Sequence, residues 1–410
     1  MNEIQQRLQA GIARARQDSE FIAAARGLSC AVWLQAGASG ERLAVWNGQP
    51  ATPSQTVVIR ASPATWDKLL SPLPPPGYQS FSAALRQAQD FTVKAEPLAL
   101  AQSLHLLERC FEILRGQVEA DAPALDRGAI HGHYAAVTLD GAAGSLYVES
   151  SGLAAGPTLL MLHTAGADSR QFHGLMTDAA LRAQWRMLAF DMPAHGRSMP
   201  WPGRAWTAGG LTREAYLATC LAVIRQVARQ PVVLLGCSMG AAMALYIAAR
   251  SPRDVAGVVA LEAPWKAAGR RTPLLCHPEV NQAAHNPAYV RGLMAPHTTL
   301  AARREAAWIY AQGGFGVYAD DLHFYSEDFD APVHLAGLDA ASFGISLLTG
   351  AYDYSASPED SRRVAALIPG ARFTLMPDLG HFPMVEDPQR LLRYLRPELA
   401  RLHPSPEARP

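Results

Sequence analysis

The chain has no excess of charge of either sign. Its 410 residues include 36 lysines and arginines and 36 aspartates and glutamates, so the formal net charge is zero. Proteins that bind nucleic acid or lie on anionic membranes usually carry a basic excess. The charge balance therefore supports neither kind of main partner. The short basic pairs Arg270-Arg271 and Arg303-Arg304 are expected on solvated faces.

Cysteine is scarce, and its positions follow no motif. The five cysteines form no Cys-x-x-Cys pair and share no spacing: Cys30, Cys110, Cys220, Cys237 and Cys276. Disulfide frameworks and zinc sites need such patterns, so we expect neither a disulfide framework nor a metal site. A reduced, cytoplasmic protein fits best. The segment Met1–Arg7 has no apolar signal core, and we expect no secretion signal.

One uncharged run, Val232–Ala249, is as long as a short membrane span. It lies between Arg229 and Arg250. The run is rich in glycine and alanine, however, and a turn motif interrupts it. We interpret it as a buried parallel strand followed at once by a buried helix.

The turn motif inside this run is Gly236-x-Ser238-x-Gly240. Between a strand and a helix, this motif is typical of a nucleophile elbow, which presents the serine hydroxyl above the sheet. The glycines let the chain close around a strained central residue. The first N–H groups of the helix then point toward the group that the hydroxyl attacks. We predict that Ser238 is a nucleophile.

A serine nucleophile needs a base, and the base needs an acid partner. In folds of this type the order along the chain is Ser, then Asp or Glu, then His. Asp353 lies in a turn after a predicted strand, and His381 lies in a later turn of the same kind. We predict Asp353 as the acid and His381 as the base. Glu262, at the end of the strand after the nucleophile helix, is the alternative acid.

The tetrahedral intermediate needs two backbone N–H donors, which form an oxyanion hole. Met239 follows the nucleophile and supplies the first predicted donor. The second is predicted in the loop after the strand that ends at His163, where Thr164, Ala165 and Gly166 keep side chains small. We choose Ala165.

The predicted elements divide the chain into two domains. Residues 1–116 combine helices and short strands in a small α+β domain, and residues 117–132 form a linker. From residue 133 to 410, strands alternate with helices, which is typical of an α/β fold with a doubly wound, mostly parallel sheet and an antiparallel start. Residues 264–335 interrupt this alternation, and we interpret them as a mostly helical lid. The predicted strands of this domain are 134–139, 145–149, 158–163, 187–191, 231–236, 255–262, 344–349 and 372–376.

Five segments resemble the α/β-hydrolase superfamily in order and spacing. They are His163–Gly166, Phe190–Ser198, Gly236–Gly240, Gly350–Asp353 and Gly380-His381. The resemblance covers roughly residues 133–400 and implies an α/β-hydrolase fold with the activity of a serine esterase. The segment from His163 to Gln171 is also similar to monoalkyl phthalate hydrolases. One position departs from the pattern, because Thr164 replaces the common glycine and is less permissive at positive φ.

The N-terminal region resembles sterol-carrier-protein-2-type domains in three segments. These are Trp46–Gly48, Ile59–Trp66 and Pro74–Gln79. Such domains often hold an apolar ligand or mediate assembly. The resemblance therefore implies a ligand-binding domain or a homodimer formed through this domain.

Two further residues are candidates for substrate binding. Arg170 follows the predicted oxyanion loop and could hold a substrate carboxylate, although we favour a position on a helix surface or a pairing with Asp168. Trp265 lies in the predicted lid, where the walls of an acyl pocket are expected. His163 and His195 are interpreted as structural residues that satisfy loop backbone groups.

These observations predict an enzyme that cleaves a small-molecule carboxylic ester through an acyl-enzyme on Ser238, without a cofactor. The same residues also suit a thioesterase, an acyltransferase or a carbon–carbon bond hydrolase. An alternative of another class is a lipid-binding or scaffold protein. The complete set of Ser238, Asp353 and His381 argues against a scaffold.

Overall fold

The computed structural model describes residues 3–37, 40–50, 52–117, 124–139, 141–202 and 210–403. The chain divides into two compact units. The first unit combines Met1–Ala122 with Pro273–Ala311, and the second unit combines Pro123–Thr272 with Gln312–Pro410.

The N-terminal part of the first unit alternates helices with short strands. Side-chain caps start three of the helices, because Asp18, Ser62 and Ser80 each accept a hydrogen bond from a first-turn N–H. In chain order the elements are α1 (Glu3–Ala15), α2 (Ser19–Ala25), β1 (Ala31–Ala36), β2 (Arg42–Asn47), β3 (Thr56–Ala61), α3 (Pro63–Leu69), α4 (Phe81–Gln87), β4 (Thr92–Lys94) and α5 (Pro97–Leu114).

These four strands form one sheet in the order β2-β1-β3-β4. β1 pairs antiparallel with β2 and parallel with β3, and β4 pairs antiparallel with β3. The core of this unit contains an aromatic cluster of Trp66, Phe81, Phe91 and Phe111, with neighbouring ring centroids 5.5 to 6.4 Å apart. The prediction of a small N-terminal α+β domain is confirmed.

The second unit is built on a larger sheet. Its elements up to the end of the sixth strand are β5 (His131–Leu139), β6 (Ala142–Gly152), β7 (Thr158–Leu162), α6 (His173–Met176), α7 (Ala179–Gln184), β8 (Arg186–Phe190), α8 (Arg213–Ala222), β9 (Val232–Cys237), α9 (Met239–Arg250) and β10 (Val255–Leu261). Helices α10 (Gln282–Gly292) and α11 (Leu300–Ala311) then belong to the first unit. The second unit resumes with α12 (Val317–His323), α13 (Ala331–His334), β11 (Ile345–Gly350), α14 (Pro358–Leu367), β12 (Arg372–Met376), α15 (Pro383–Glu386) and α16 (Pro388–Leu402).

The eight strands of this sheet follow the order β12-β11-β10-β9-β7-β8-β6-β5. All neighbouring strands from β12 to β8 are parallel, whereas β6 is antiparallel to both β5 and β8. This architecture confirms the predicted α/β fold with an antiparallel start. Every residue of β9 is buried, as expected for a central parallel strand covered on both faces. The carboxyl ends of β7, β9 and β11 therefore lie at one edge of the sheet.

The division into units differs from the predicted domain boundaries. Residues 273–311, assigned above to the lid, cluster with the N-terminal segment. Polar contacts explain this: Ser80 Oγ donates to the carbonyl of Gly292 at 2.6 Å, and Arg291 Nη2 donates to Glu112 at 2.5 Å. Arg303 is also buried, with 1% of its surface exposed, so the expectation that it lies on a solvated face was wrong.

The boundary between the two predicted domains also differs. β5 begins at His131, inside the predicted linker. Residues 118–123 of that linker lie outside the described residues. Among the helices that the structure describes, none has the length and apolar character needed to cross a membrane.

Candidate active site

Ser238 lies in a strained turn between β9 and α9. Its backbone has φ 55° and ψ −112°, a conformation that non-glycine residues rarely adopt. A Cβ on Gly236 would lie 2.0 Å from the carbonyl oxygen of Gly240, and a Cβ on Gly240 would lie 2.2 Å from that of Leu162. Both glycines are therefore required by close backbone packing, as the elbow motif predicts.

The structure brings Asp353 and His381 together. Nδ1 of His381 lies 2.6 Å from Oδ2 of Asp353, and both side chains are buried. The two loops are joined by a backbone hydrogen bond, in which Tyr352 N donates to Leu379 O at 3.1 Å. The Sγ of Cys237, the residue before Ser238, donates to the carbonyl of His381 at 3.4 Å. The base loop is therefore adjacent to the elbow.

The remaining oxygen of Asp353 is also engaged. Oδ1 accepts hydrogen bonds from Ser355 N at 2.7 Å and from Ala356 N at 3.1 Å. Backbone donors to a carboxylate stabilise its charged form. This arrangement suits a group that must stay negative beside an imidazolium.

Glu262, the alternative acid, lies close to Asp353 but does not contact His381 by any hydrogen bond among the described residues. Both of its carboxyl oxygens accept from Gly350 N, at 3.0 and 3.1 Å. Burial, followed by the charge of Asp353, raises the pKa of Glu262 well above its ordinary value. Burial and the neighbouring carboxyl group thus favour the protonated form of Glu262.

The base loop has a carboxylate that the sequence analysis did not single out. The buried Glu386 accepts from Gly380 N and from Phe382 N, both at 2.9 Å. These two amides flank His381, so Glu386 fixes the backbone that carries the imidazole. In the sequence, the closeness of Glu386 to His381, five residues earlier, is the signal that could have identified it.

The loop after β7 contains the predicted oxyanion donor Ala165. The amides on either side are committed, because Thr164 N donates to Gln171 Oε1 at 3.1 Å and Gly166 N donates to Asp321 Oδ2 at 2.7 Å. Within the described part of the chain, no such acceptor is recorded for the Ala165 amide. Met239, the other predicted donor, is the first residue of α9, where N–H groups lack intrahelical acceptors.

Thr164 does not have a positive φ. A threonine in place of the common glycine therefore causes no backbone strain at this position. The described non-glycine residues with positive φ are Ala194, Arg229, Ser238 and Glu262. Gly166 provides the left-handed conformation of this loop, with φ 71°. The Thr164 hydroxyl donates to Gln171 Oε1 at 3.0 Å, so the threonine stabilises the loop instead of straining it.

His163 and His195 lie behind this loop, in contact with backbone groups and with Asp321. His163 Nε2 accepts from Met192 N at 3.2 Å, and His195 Nε2 lies 2.7 Å from Asp321 Oδ2. Burial lowers the pKa of His163. Burial opposes the charged form of His195 as well, but Asp321 outweighs it and raises the pKa of His195 to about 8. Asp321 belongs to α12 and was not predicted.

The two predicted substrate-binding residues have protein partners. Arg170 donates to Asp168 from Nε at 2.8 Å and from Nη2 at 2.5 Å, and to Gln312 from Nη1 at 2.9 Å. The pairing with Asp168 is the alternative interpretation given above. The ring of Trp265 lies 3.9 Å from the guanidinium of Arg363.

Three residues near the elbow were not predicted: Arg270, Tyr325 and Ser355. Tyr325 lies in a π-helical turn, Phe324–Asp328, that follows α12. Its hydroxyl is next to the hydroxyls of Ser238 and Ser355. Arg270 donates from Nη1 to Ser355 Oγ. Arg270 is only 9% exposed, so the expectation that it lies on a solvated face was wrong.

Comparison with known proteins agrees with this geometry. Residues 159–394 match the model of the alpha/beta hydrolase family, which is more than half of the chain, and the chain belongs to that family. No curated protein matches the chain significantly.

Solved structures with the same fold include three enzymes. A thermophilic esterase from Thermogutta terrifontis is 21% identical, with a TM-score of 0.54, over 66% of this chain and 100% of its own. An esterase from Rhodococcus sp. ECU1013 is 23% identical, with a TM-score of 0.54, over 67% and 99%. An enol-lactonase from Burkholderia xenovorans LB400 is 18% identical, with a TM-score of 0.55, over 65% and 100%. At these identities the likeness shows the fold.

Proposed function

We propose that this protein is a serine hydrolase that cleaves a carboxylic ester through an acyl-enzyme on Ser238. The observation that carries the proposal is the pair of His381 and Asp353, 2.6 Å apart and buried beside a strained serine elbow. The esterase and lactonase activities named for structures of the same fold support it, since a lactone is a cyclic ester.

In this proposal Ser238 attacks the ester carbonyl while Nε2 of His381 takes the hydroxyl proton. Asp353 holds the imidazole in one tautomer and stabilises its charged form. The amides of Ala165 and Met239 donate to the oxyanion of the tetrahedral intermediate. His381 then protonates the leaving alcohol, and a water molecule activated by His381 releases the acid.

A fluorophosphonate probe tests the nucleophile. We expect covalent labelling of Ser238 in the folded protein, no labelling of Ser238→Ala, and strong reduction in His381→Ala. Absence of labelling in folded wild-type protein would overturn the proposal. Mass spectrometry of the intact protein after brief incubation with esters, thioesters and lactones then identifies the acyl group. The product, free acid or a new ester, separates hydrolysis from acyl transfer.

We further propose that the chain assembles as a homodimer through its first unit and operates in the cytoplasm. Support for assembly comes from the four-stranded sheet, whose described edge strands β2 and β4 each pair on one side only, since open edges can pair with another chain. Sedimentation equilibrium of the full chain tests the proposed homodimer, and a monomer at all concentrations contradicts it.

Support for the cytoplasm, which is a reducing compartment, comes from the five cysteines, all of which are free.

A further inference from the structure

The predicted oxyanion donor Ala165 lies in a hydrogen-bonded turn. Ala167 N donates to Thr164 O at 3.2 Å, and Gly166, the third residue of the turn, has φ 71°. These features are typical of a type II turn, in which the peptide group between the second and third residues takes no part in the closing hydrogen bond. That peptide group joins Ala165 to Gly166. Its orientation therefore depends on partners outside the turn.

Side chains fix the peptide groups on both sides of the Ala165 Cα. Nδ1 of His163 lies 2.9 Å from Thr164 O, and it carries the ring proton because Nε2 accepts a backbone hydrogen bond. Gly166 N donates to Asp321 Oδ2 at 2.7 Å. A peptide group is planar, so the first bond sets the direction of the Ala165 N–H, and the second sets the peptide group that follows.

Asp321 is a buried carboxylate, and its charge is paired with a histidine. The residue is 1% exposed, and its Oδ2 lies 2.7 Å from Nε2 of His195. Among the residues that the structure describes, no second ion pair of Asp321 is present. A buried charge that loses its partner is costly. The Gly166 amide is thus held by a carboxylate whose own stability depends on His195.

The ring of His195 meets acceptors at both nitrogens. Nδ1 lies 2.9 Å from the carbonyl oxygen of Pro193, and Nε2 lies 2.7 Å from Asp321. Both acceptors are satisfied only when both nitrogens carry protons, which is the imidazolium form. Burial opposes this charge, but Asp321 outweighs burial and raises the pKa of His195 to about 8. In the described part of the chain, the other titratable groups near the ring include His163, Asp191 and Asp320.

We propose that Asp321 and His195 are positioning residues of the oxyanion hole, and that their ion pair holds the Gly166 amide so that the Ala165 N–H faces the oxyanion. The inference rests on the proposed function and adds to it a requirement outside the triad. Helix α12, which carries Asp321, then acts on catalysis through the loop. When His195 loses its proton, the pair loses its attraction and the loop loses its alignment. We expect kcat to fall as the pH rises through about 8.

The pH profile of the wild type gives the first test. Hydrolysis of p-nitrophenyl acetate and labelling of Ser238 by a fluorophosphonate both pass through an oxyanion, and neither requires knowledge of the natural substrate. We expect kcat for the ester and the labelling rate to decrease together, by about threefold or more, between pH 7 and pH 9. Rates that stay constant or rise over this range would contradict the inference.

Asp321→Asn tests the charge of the carboxylate. The amide oxygen can still accept from Gly166 N, but it cannot pair with an imidazolium. Loss of a whole oxyanion donor lowers kcat by about 10²- to 10³-fold, so we expect a misaligned donor to lower kcat by about 10- to 100-fold at pH 7. KM should change little, and the decrease between pH 7 and pH 9 should disappear.

Asp320→Asn is the matched control. Asp320 is the preceding residue and lines the same cavity as Asp321 and His195, but among the described residues no hydrogen bond joins its side chain to the oxyanion loop. The substitution removes the same charge from the same helix. It should leave kcat and the pH profile unchanged.

His195→Gln separates the hydrogen bond from the charge. The amide nitrogen of the new side chain can donate to Asp321 without a positive charge, so we expect a lower kcat that no longer decreases above pH 7. NMR of protein with 15N-labelled histidine, in which His195→Gln assigns the signal, gives a readout that needs no activity. We expect both ring nitrogens of His195 to carry protons at pH 7, and one of them to lose its proton near pH 8.

The outcomes separate this inference from the proposed function. If the wild type is labelled and hydrolyses ester while Asp321→Asn keeps the wild-type kcat and pH profile, the positioning role is overturned and the esterase proposal stands. A neutral His195 ring at pH 7 overturns the positioning role as well, whether or not the protein is an esterase. Unlabelled Ser238 in the folded wild type overturns the esterase proposal. Denaturant unfolding verifies that each variant is folded, and if Asp321→Asn is not, His195→Gln and the NMR titration decide.

Discussion

Asp353 contacts His381, and a second buried carboxyl group, that of Glu262, lies close to Asp353 in a different environment. Asp353 accepts two backbone N–H bonds and contacts the imidazole. Glu262 is fully buried beside that charge, which together with burial raises its pKa. Two neighbouring carboxyl groups cannot both ionise easily, and the raised pKa of Glu262 favours its protonated form.

Substitution of each carboxyl group by its amide should therefore have unequal effects. Asp353→Asn removes the acceptor for Nδ1–H and should lower kcat by about 10³- to 10⁴-fold. Glu262→Gln replaces one neutral group by another that can still accept from Gly350 N, and should lower kcat less than tenfold. Initial rates with the best ester at pH 7.5 measure both, with fluorophosphonate labelling as the check on folding. A larger loss in Glu262→Gln than in Asp353→Asn would reverse the assignment.

The order of Ser238, Asp353 and His381 could be predicted from the sequence because each lies in a turn that local patterns mark. Asp321 could not, since it accepts from a backbone amide 155 positions away. Glu386 could not either, since no local pattern shows that its side chain turns back to the amides on either side of His381. The pairing of Arg270 with Ser355 depends on a contact between residues 85 positions apart. Sequence patterns specify local turns well, and they carry little information about which distant side chains meet.

The loop that carries the predicted oxyanion donor Ala165 packs against helix α12. A Cβ on Gly166 would lie 2.5 Å from the ring of Tyr318, and the Gly166 amide is held by Asp321. Both contacts come from α12. The position of the Ala165 amide therefore depends on how α12 packs.

Gly166→Ala should move this loop and impair catalysis. The substitution places a side chain at φ 71° and against Tyr318, so we expect kcat to fall at least tenfold through loss of an aligned oxyanion donor. Gly337→Ala is the control, because Gly337 also has a positive φ, 79°, but has nothing within 4 Å of the added Cβ. It should lower stability by about 1 kcal/mol and leave kcat within twofold. Similar kcat values for the two variants would contradict the role given to this loop.

The His195–Asp321 pair should make the attachment of α12 dependent on pH. The pKa of His195 is about 8 in the folded protein, above about 6.5 for a free histidine. The pair therefore stabilises the fold fully below pH 6.5, by about 2 kcal/mol, and this contribution disappears as the pH rises through 8. Among the described residues, the charged and titratable groups near His195 include Asp321, Asp191 and His163, and Asp320 lines the same cavity.

Asp321→Asn tests this dependence. The difference in free energy of unfolding between wild type and variant should be largest at pH 6 and should decrease toward pH 9. Denaturant titrations at five pH values measure it, and His323→Gln, at a half-buried position of the same helix that pairs with Glu327 instead of His195, serves as the control. A difference that stays constant from pH 6 to pH 9 would show that His195 does not titrate with Asp321.

At the level of the whole molecule, the predicted strands of the second unit agree with the structure to within a few residues at each end. β12, predicted at 372–376, spans those same residues. Central strands such as β9 could be predicted because a buried parallel strand is a continuous apolar run. The boundary between the two units was harder to predict from the sequence. A helical pattern in residues 282–311 shows that a face is buried without showing which unit buries it.

Buried ion pairs attach α10 and α11 to α5 within the first unit. Glu112 on α5 is 2% exposed and accepts from Arg109 at 3.0 Å and from Arg291 at 2.5 Å. Arg303 of α11 lies 3.8 Å from the same carboxylate. A buried ion pair that loses one partner leaves an unpaired charge, which costs about 3 to 5 kcal/mol. The first unit therefore depends on both segments of the chain that compose it.

Glu112→Gln in the full chain should selectively destabilise the first unit. We expect hydrogen exchange, followed by mass spectrometry, to accelerate at least tenfold in peptides from both α5 and α10, although 167 or more positions separate the two helices in the chain. Peptides from the central strand β9 should exchange at the wild-type rate. Glu96→Gln, at an exposed helix start whose side chain makes no capping bond, should change none of them. Faster exchange in α5 with an unchanged α10 would mean that α10 is held by other contacts.

By the same argument, deletion of residues 1–122 removes Glu112 while leaving Arg291 and Arg303 in place, so such a truncation should fail to accumulate as folded protein.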